Sequence, residues 1–467
     1  MIYPSHRAAI LLMAGVAAAG CATVGPDYTR PKVDVTDTYR GQATETTSAP
    51  SIADEPWANV FVDEPLRALV TTALKQNYDV RIAASRVMQA RAQYGITRSN
   101  QFPSIDAHAS GQGQRSSLTS RNDDTETVGF AQLGASVNWE VDFWGKFWRA
   151  TEAARAEILA TEWGRRAVMT SVVSDVAAGY YQLLSLDLEM SIATRTLASR
   201  EESLRITQIR EAGGATSLVD VRQAEQLVLG ARATIVDLQR RIEQQENFLS
   251  LLLGNNPGAI SRGRPLTEQP HPPNVPAGLP SALLEHRPDI QQAEQLLVAA
   301  NADIGVAKAA YFPQVTLTGS GGVASTALTA LFSGPAAAWT VAASALQPIF
   351  NAGRVRSGVE LAESRQQEAA LAYQQIIKSA FREVADALVG YRRAREFRET
   401  QEQLVTSAQD ARRLADLRYQ GGATSYLEVL DSDTRLFSAE LDLAEAQQAE
   451  LATFVEIYRA LGGGWRE

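Results

Sequence analysis

The pentapeptide Gly-Gly-Ala-Thr-Ser at residues 213–217 recurs letter for letter at residues 421–425, which is 208 positions further along the chain. Leu-Gly follows each copy in the same register, at 253–254 and again at 461–462. Chance does not readily produce a five-residue identity with flanking matches at a constant offset. The sequence therefore predicts two halves of about 200 residues that share one structural plan.

The positions of the prolines predict very long helices on both sides of each pentapeptide. None of the 18 prolines lies between Ser104 and Asn256 or after Pro348, and proline disrupts helix interiors. Apolar residues at helical spacing predict helices over Lys146–Arg210, Ser217–Leu253, Arg354–Arg418 and Ser425–Leu461. A helix spanning Lys146–Arg210 would be roughly 100 Å long, which favours a coiled-coil-like assembly over a compact globule. Each pentapeptide is then the tip of an antiparallel helical hairpin.

A different pattern precedes each long helix, with small or apolar residues alternating with polar residues and glycine. These segments predict strands over Ser104–Gln114, Val128–Phe143, Gln314–Ala324 and Ala338–Phe350. Each is long enough to cross a membrane with one side facing lipid. Aromatic residues near the segment ends are candidates for the membrane interface, although simple packing is the alternative; they are Phe102, Trp139, Phe143, Trp144, Phe312, Trp339 and Phe350.

The number of predicted strands constrains the assembly. Four strands cannot close a barrel, and an open sheet edge is not tolerated in lipid. Two chains would give eight strands, whose side chains fill the interior, whereas three chains would give twelve strands and leave room for a lumen. If the strands form a pore, a trimer is therefore the smallest assembly that leaves room for a lumen.

Composition excludes several classes of protein. The chain has 467 residues, a net charge of −9 and a mean hydropathy of −0.16. No apolar run of spanning length follows the first twenty residues, and the acidic balance argues against nucleic acid as a partner. A single cysteine excludes a disulfide scaffold, and the histidines lack paired metal-ligand spacing. We therefore predict no catalytic site, no metal and no cofactor.

The N-terminus has the layout of a secretory signal. Residues 1–20 carry one firm positive charge, a short apolar region and a run of small residues that ends at Cys21, the only cysteine. This ending resembles the bacterial lipobox, in which the cysteine becomes the lipid-modified first residue and carries palmitate, although Ala18 stands where the lipobox usually has leucine. An ordinary signal with an incidental thiol is the alternative. Ala22 is compatible with sorting to the outer membrane.

Several spaced motifs resemble the TolC/OprM-type outer-membrane efflux proteins, the NodT-like lipoproteins of RND efflux systems. They are the mature start at 21–31, Arg-Pro-Asp-Ile at 287–290, Phe-Pro at 312–313 before a strand, and Tyr-Leu-Glu-Val-Leu-Asp at 426–431 followed by Arg-Leu-Phe at 435–437. The resemblance covers nearly the whole mature chain. It implies an α+β membrane protein in which a trimeric twelve-stranded β-barrel, with four strands per chain, is continued by a long α-helical coiled-coil barrel in the periplasm.

The resemblance also implies a division of the chain. Residues 1–20 would be the lipoprotein signal peptide, and residues 21–65 the lipid anchor with part of an equatorial region around the helical barrel. Residues 66–256 would form the first repeat, which consists of a helix, two strands and a long helical hairpin. Residues 257–285 would be a proline-rich equatorial linker, and residues 286–467 the second repeat.

The function implied is passive export across the outer membrane of a Gram-negative bacterium. The homotrimer would be lipid-anchored, contact outer-membrane lipid and project into the periplasm. There it would meet a periplasmic membrane-fusion adaptor and an inner-membrane RND-type pump that deliver drugs or other small toxic compounds. A channel for type I protein secretion is one alternative, and a lipid-tethered periplasmic coiled coil without a pore is another.

Two residues correspond to the periplasmic constriction of the family. Leu427 and Asp431 are four residues apart and so lie on one helical face, and three-fold symmetry would turn each into a ring. Repulsion among three carboxylates would raise their pKa values and make the ring sensitive to protons, cations or partners. Related channels often have arginine at the position of Thr434, so any latch here would fall to Arg435 or Asp433.

The two hairpin tips are candidates for docking the adaptor, and a turn without a partner is the alternative. The residues concerned are Gly213, Gly214, Ala215, Thr216, Ser217, Gly421, Gly422, Ala423, Thr424 and Ser425.

Overall fold

The computed structural model describes residues 23–35, 38–40, 51–115, 127–270, 275, 277–278 and 280–465. The predicted signal peptide and Cys21 lie outside the described residues. The strands are β1 (Ser104–Arg115), β2 (Thr127–Val141), β3 (Gln314–Ser325) and β4 (Ala337–Leu346). The α-helices are α1 (Trp57–Val60), α2 (Glu64–Gln76), α3 (Tyr78–Ser99), α4 (Lys146–Ala212), α5 (Leu218–Leu252), α6 (Pro280–His286), α7 (Pro288–Ala309), α8 (Arg354–Gln420) and α9 (Tyr426–Ala460).

The four predicted long helices are confirmed, and their lengths reproduce the repeat. α4 and α8 each have 67 residues, and α5 and α9 each have 35 residues. Both ends of each long helix in the second half lie 208 residues after the corresponding ends in the first half, which is the offset of the pentapeptides. None of the helices in the described part of the chain is long and apolar enough to cross a membrane.

The described residues fall into two compact units. The first consists of the described residues up to Lys32 with Val87–Thr161 and Ala293–Tyr373, and it contains the sheet. The second consists of Val33–Arg86, Glu162–Gln292 and the described residues from Gln374 onward, and it contains both hairpin tips. Each unit therefore takes segments from both halves of the chain.

The sheet is antiparallel throughout, with the strand order β1-β2-β3-β4. Representative pairs are Ser104 with Asn138, Ala131 with Ser325, and Gln314 with Leu346. In every pair both residue numbers are even or both are odd. Since successive side chains of a strand point to opposite faces, all odd-numbered residues share one face and all even-numbered residues share the other.

The two faces differ sharply in polarity, as the predicted alternation requires. Most large members of the odd-numbered face are apolar, and six of them are exposed: Ile105, Leu133, Val137, Leu317, Trp339 and Val341. The even-numbered face carries most of the polar side chains, with Phe130 and Leu346 as exposed apolar exceptions; the polar members include Asp106, His108, Ser110, Gln132, Ser136, Asn138, Thr318, Ser320 and Thr340. A sheet with one apolar and one polar face can separate lipid from a watery lumen.

Two predicted strand ends are wrong, and in each case the local chemistry explains why. β2 ends at Val141 instead of Phe143 because the Asp142 side chain accepts a hydrogen bond from the Trp148 amide, at 2.8 Å, at the start of α4. β4 ends at Leu346 instead of Phe350, because Pro348 follows and has no amide hydrogen to continue the ladder. The other strand boundaries agree within one residue.

In the second unit, a buried carboxylate joins the proline-rich segment to α4. Asp63, at the start of α2, accepts hydrogen bonds from the Tyr180 hydroxyl and from Nε2 of Gln269, each at 2.9 Å. The Tyr180 hydroxyl also accepts the Gly263 amide at 2.8 Å. Asp63 and Tyr180 are both buried, so these bonds satisfy polar groups that would otherwise be costly in the interior.

The contact between β2 and β3 predicts a contrast between two neighbouring glycines. A Cβ at Gly322 would lie 2.3 Å from the Leu133 carbonyl oxygen and 2.5 Å from Gly134 Cα, whereas a Cβ at Gly321 meets nothing within 4 Å. We expect Gly322→Ala to destabilise the sheet by about 2 kcal/mol, because backbone must move to admit the methyl group. Hydrogen exchange of the β2 and β3 amides in detergent, followed as the temperature rises, measures this. Equal unfolding temperatures for Gly322→Ala and the Gly321→Ala control would contradict it.

Candidate functional site

Both hairpin tips turn through the same backbone geometry. Gly214 and Gly422 have φ values of 73° and 72°, in the left-handed region that side chains disfavour. In each tip the amide after this glycine donates to a carbonyl five residues earlier at 2.8 Å, the pattern of a Schellman helix end. A Cβ at either glycine would meet nothing within 4 Å, so backbone conformation, and not crowding, requires glycine there.

The first tip is closed by a capping box at the start of α5. The Ser217 amide donates to Asp220 Oδ2 at 3.1 Å, and the Asp220 amide donates to Ser217 Oγ at 3.4 Å. The Thr216 hydroxyl donates to the same carboxylate. The hydrogen bond from Thr216, followed by those from Ser217, lowers the pKa of Asp220 below its ordinary value. The anionic carboxylate therefore stabilises this tip.

The second tip carries a longer side chain at the equivalent position, and its contacts differ. Glu428 accepts from the Thr424 hydroxyl, as Asp220 does from Thr216. Ser425, however, makes no side-chain capping bond. Glu428 Oε1 instead lies 2.8 Å from Nη1 of Arg418, near the end of α8. Glu428 has one methylene more than Asp220, and it forms an ion pair with Arg418 across the turn where Asp220 caps the start of its own helix.

Exposed apolar side chains lie close to both tips. In the first hairpin they are Ile209, Leu218 and Val219, and in the second they are Leu414, Leu417 and Leu427. Exposed apolar groups of this kind are typical of surfaces that bind another protein.

The structure places both predicted gate residues on one exposed face of α9. Leu427 is 58% exposed, and the side chain of Asp431 is 60% exposed. Nε of Arg435 donates to Asp431 Oδ2 at 2.8 Å, so Arg435 is the intrachain partner of this carboxylate. The Thr434 hydroxyl donates to the Leu430 carbonyl of its own helix and does not replace an arginine there.

The opposite face of α9 packs into the second unit, which the sequence motif did not indicate. Tyr426, Val429 and Leu430 are buried in a cluster with Ala224 of α5 and Ala415 of α8. The Tyr426 hydroxyl lies 2.7 Å from the Ser203 hydroxyl of α4. The apolar spacing of these positions marks a buried helical face, but their partners are more than 200 residues away or on another helix.

Of the predicted interface aromatics, the structure brings two together. Trp144 stacks on Phe312 with ring centroids 4.6 Å apart, and its Nε1 donates to the Pro313 carbonyl at 2.8 Å. Trp139 of β2 pairs with Leu317 of β3 and Trp339 of β4 pairs with Gly321, so these two residues are four positions apart along β3. The remaining three are exposed outside the strands; they are Phe102, Phe143 and Phe350.

The residues that follow Cys21 are fastened to the first unit. The Val24 amide donates to the Trp144 carbonyl at 3.1 Å, directly before α4. Asp27 pairs with the buried Arg149 of α4 at 2.8 Å, and Arg30 pairs with Glu294 of α7. This segment, Thr23–Lys32, is called the N-terminal strap below. It brings the chain to Trp144 at Val24, only three residues after Cys21.

The described residues include no group of three or more His, Cys, Asp or Glu side chains placed to hold a metal ion.

A family model described as "Outer membrane efflux protein" matches residues 69–255 and 279–463. The chain belongs to this family. It is 34% identical over 454 residues to the cation efflux system protein CusC of Escherichia coli O6:H1, covering 97% of each chain. It is 36% identical over 451 residues to the outer membrane protein OprJ of Pseudomonas aeruginosa, covering 96% of this chain and 94% of OprJ.

A solved structure agrees with these sequence matches. The crystal structure of the open state of the MtrE outer membrane channel of Neisseria gonorrhoeae superposes with a TM-score of 0.87 at 32% identity, covering 95% of this chain and 99% of MtrE. The predicted family, the fold with four strands per chain continued by long helices, the outer-membrane location and the role as an exit duct in efflux are thereby confirmed. The roles given to individual gate, tip and interface residues stay predictions.

The capping box predicts an acid-sensitive first tip. Because the folded-state pKa of Asp220 is lowered, its stabilisation is present above the ordinary carboxyl range and is lost as the pH falls through the folded-state pKa. At pH 7, we expect Asp220→Ala to weaken the cap by about 1 kcal/mol and to speed amide exchange at residues 217–221 about fivefold.

Hydrogen exchange followed by mass spectrometry checks this, with Glu428→Ala as the matched variant of the second tip. Since Ser425 has no side-chain capping bond, Glu428→Ala should accelerate its own tip less. Equal acceleration in both tips would contradict the assignment of the cap to Asp220.

Proposed function

We propose that three copies of this chain form the outer-membrane exit duct of a tripartite efflux system. Within the described sheet, β1 and β4 each pair on one side only, and lipid does not tolerate unpaired backbone groups. β1 and β4 run in opposite directions, so β4 of one copy can continue the antiparallel order by pairing with β1 of the next. Three copies would close twelve strands, with the apolar face toward lipid and the polar face toward the lumen.

The tips Gly213–Ser217 and Gly421–Ser425 would dock a periplasmic membrane-fusion adaptor, which connects the duct to an inner-membrane RND-type pump. The exposed apolar side chains beside both tips, apart from the predicted gate residue Leu427, support this placement. Each tip is also held in one backbone conformation by its glycine, so it can present a defined surface.

The duct would be passive, without catalysis, and would carry drugs or other small toxic compounds selected by the pump. Its relatives support this separation of roles, because CusC is named for cation efflux and TtgC of Pseudomonas putida for toluene efflux, at 34% and 36% identity to this chain. Similar channels thus serve chemically different cargo. Both CusC and TtgC are named for efflux, which favours small-molecule export over protein secretion.

Cys21 would carry the lipid that anchors the N-terminus. The N-terminal strap supports this assignment, since it brings the chain to Trp144, a predicted interface aromatic, three residues after Cys21. A lipid on Cys21 would then enter the membrane close to the sheet. The mass of the N-terminal peptide of the mature protein tests this, because an unmodified Cys21 would exclude the anchor.

A complementation experiment tests the proposed function. In a Gram-negative host that lacks its own efflux channels but keeps an adaptor and a pump, we expect the wild-type chain to restore resistance to pump substrates. Gly422→Val should abolish the resistance, because valine disfavours the left-handed conformation of the tip. Gly358→Val, a substitution in α8 where a Cβ meets nothing within 4 Å, serves as the control. Full resistance of the folded Gly422→Val variant would contradict docking at this tip.

The gate assignment makes a separate prediction for the purified protein in planar lipid bilayers. We expect the wild type to show a low conductance at rest and Asp431→Ala to raise it severalfold, because the ring loses its charged side chains and their pairs with Arg435. Asp237→Ala removes an equally exposed carboxylate that pairs with Arg240 on α5, and it should leave the conductance unchanged. A wild-type conductance for Asp431→Ala would rule out the role of Asp431 in the gate.

A further inference from the structure

One row of paired residues crosses the even-numbered face of the sheet with no side chains at its centre. Gly134 of β2 pairs with Gly322 of β3. In the same row, β1 contributes His108 and β4 contributes Ala338. All four residues are even-numbered, so they share one face of the sheet. This set of four is called the glycine row below.

The close approach of β2 and β3 requires both glycines. A Cβ at Gly134 would lie 2.9 Å from the Gly321 carbonyl oxygen, and a Cβ at Gly322 would lie 2.5 Å from Gly134 Cα. Adjacent strands are about 4.8 Å apart, so two strands without side chains expose a flat strip of backbone about as wide as one six-membered ring.

A cavity of about 130 Å³ lies over this strip. Its lining combines the glycine row with hydrogen-bonding side chains of the neighbouring positions, which are Gln132, Ser320 and Thr340. Nε2 of Gln132 lies 3.0 Å from Nε2 of His108, so these two side chains together form one wall. An engineered protein cavity of about 150 Å³ binds benzene, so this depression has room for one aromatic ring.

The next row on the same face consists of hydroxyl groups and ends in a carboxylate. Ser136, Ser320 and Thr340 pair in sequence across β2, β3 and β4. Asp106 of β1 pairs with Ser136 and completes this hydroxyl row, which lies roughly 7 Å from the glycine row along the strands. The even-numbered positions of the four described strands carry no lysine or arginine, so they offer neither side chain to an anion.

We propose that this depression binds a planar aromatic cation, with one ring lying flat on the glycine row. The cationic group would donate hydrogen bonds to the hydroxyls of Ser320 and Thr340 and would face the carboxylate of Asp106. This inference rests on the proposed function, since it places the depression on the lumen side of the sheet and makes it a binding site, one per chain, for cargo on its way out.

The shape and the charge of the depression together select this class of ligand. A planar ring can contact the backbone of both glycines at once, whereas a branched aliphatic group cannot. An anion would meet Asp106, and a purely apolar ring would displace water from Ser320 and Thr340 without replacing its hydrogen bonds. A ring that carries N–H donors and a positive charge satisfies these groups.

Binding at this place is weak and readily reversed. The depression lies on one face of a sheet, so a bound ring keeps its other face in water and buries only part of its surface. Sites that hold small ligands tightly enclose most of the ligand surface. A shallow site therefore lets cargo leave quickly, as an exit path requires.

The test measures binding of a single-ring aromatic cation to the purified full-length protein in detergent. The probe is 4-aminobenzamidine, whose fluorescence rises when it leaves water. Ala338→Leu adds three carbon atoms at the side of the depression and should fill it. Ala342→Leu is the matched control, because Ala342 is also an exposed even-numbered residue of β4 but lies outside the lining.

We expect the wild type to bind the probe saturably, with one site per chain. Ala338→Leu should weaken binding about tenfold or more, since the pocket no longer admits the ring. Thr340→Val should weaken it about fivefold through loss of an acceptor, and Asp106→Asn about threefold through loss of an exposed charge. Ala342→Leu should match the wild type. Benzamidine should displace the probe, whereas benzoate, with the same ring and the opposite charge, should not.

Three results would overturn the site: no saturable binding by the wild type, equal weakening by Ala338→Leu and Ala342→Leu, or displacement by benzoate as effective as displacement by benzamidine. Hydrogen exchange of the β2 and β3 amides checks that each variant is folded. If Ala338→Leu does not fold, Thr340→Val and Asp106→Asn decide the question, and wild-type affinity in both overturns the site.

This measurement is independent of the test of the proposed function. Probe binding requires neither an adaptor nor a pump. A chain that fails to restore resistance contradicts the role as an exit duct, whereas the affinities of the wild type and the variants for 4-aminobenzamidine decide the binding site by themselves.

Discussion

The unpaired edges of a four-stranded sheet are the constraint on which the rest of this protein depends. Hydrocarbon offers no hydrogen-bond partners, so the outer edges of β1 and β4 must be satisfied by other strands. The apolar odd-numbered face makes lipid the natural environment of the sheet, and the polar even-numbered face makes water the natural content of the enclosed space. Both requirements are met together when copies of the chain close a barrel, and neither is met by one chain alone.

The second constraint is that two hairpins must match in length. The 67-residue and 35-residue helices occur once in each half at a constant offset, and each hairpin turns through one left-handed glycine. The mean hydropathy of −0.16 is low for a member of a family of membrane channels. The division of the chain between short strands and long helices explains this value. The strands are few and bury only one face in lipid, while the long helices carry most of the charged residues of the chain.

Much of the fold could be predicted because it follows from local rules. Proline is absent from long helices because it disrupts them, apolar and polar residues alternate along the strands, and glycine occurs at the hairpin tips. The errors are at strand ends, where one side chain decided the outcome: Asp142 caps α4, and Pro348 cannot continue a ladder. The contacts of the two tips could not be predicted either. Asp220 and Glu428 differ by only one methylene, yet Asp220 caps its own helix and Glu428 pairs with Arg418.

The sequence by itself determined the repeat, the long helices, the amphipathic strands and the family, because each is written in residues close together or at a constant offset. Only the tertiary structure decided which groups meet. It turned Asp433 to the buried face of α9, where it meets Arg200, which is 233 positions away in the chain. It also fastened the N-terminal strap to α4 and α7. Such pairings depend on how helices pack, and packing sums many weak contacts that no local pattern encodes.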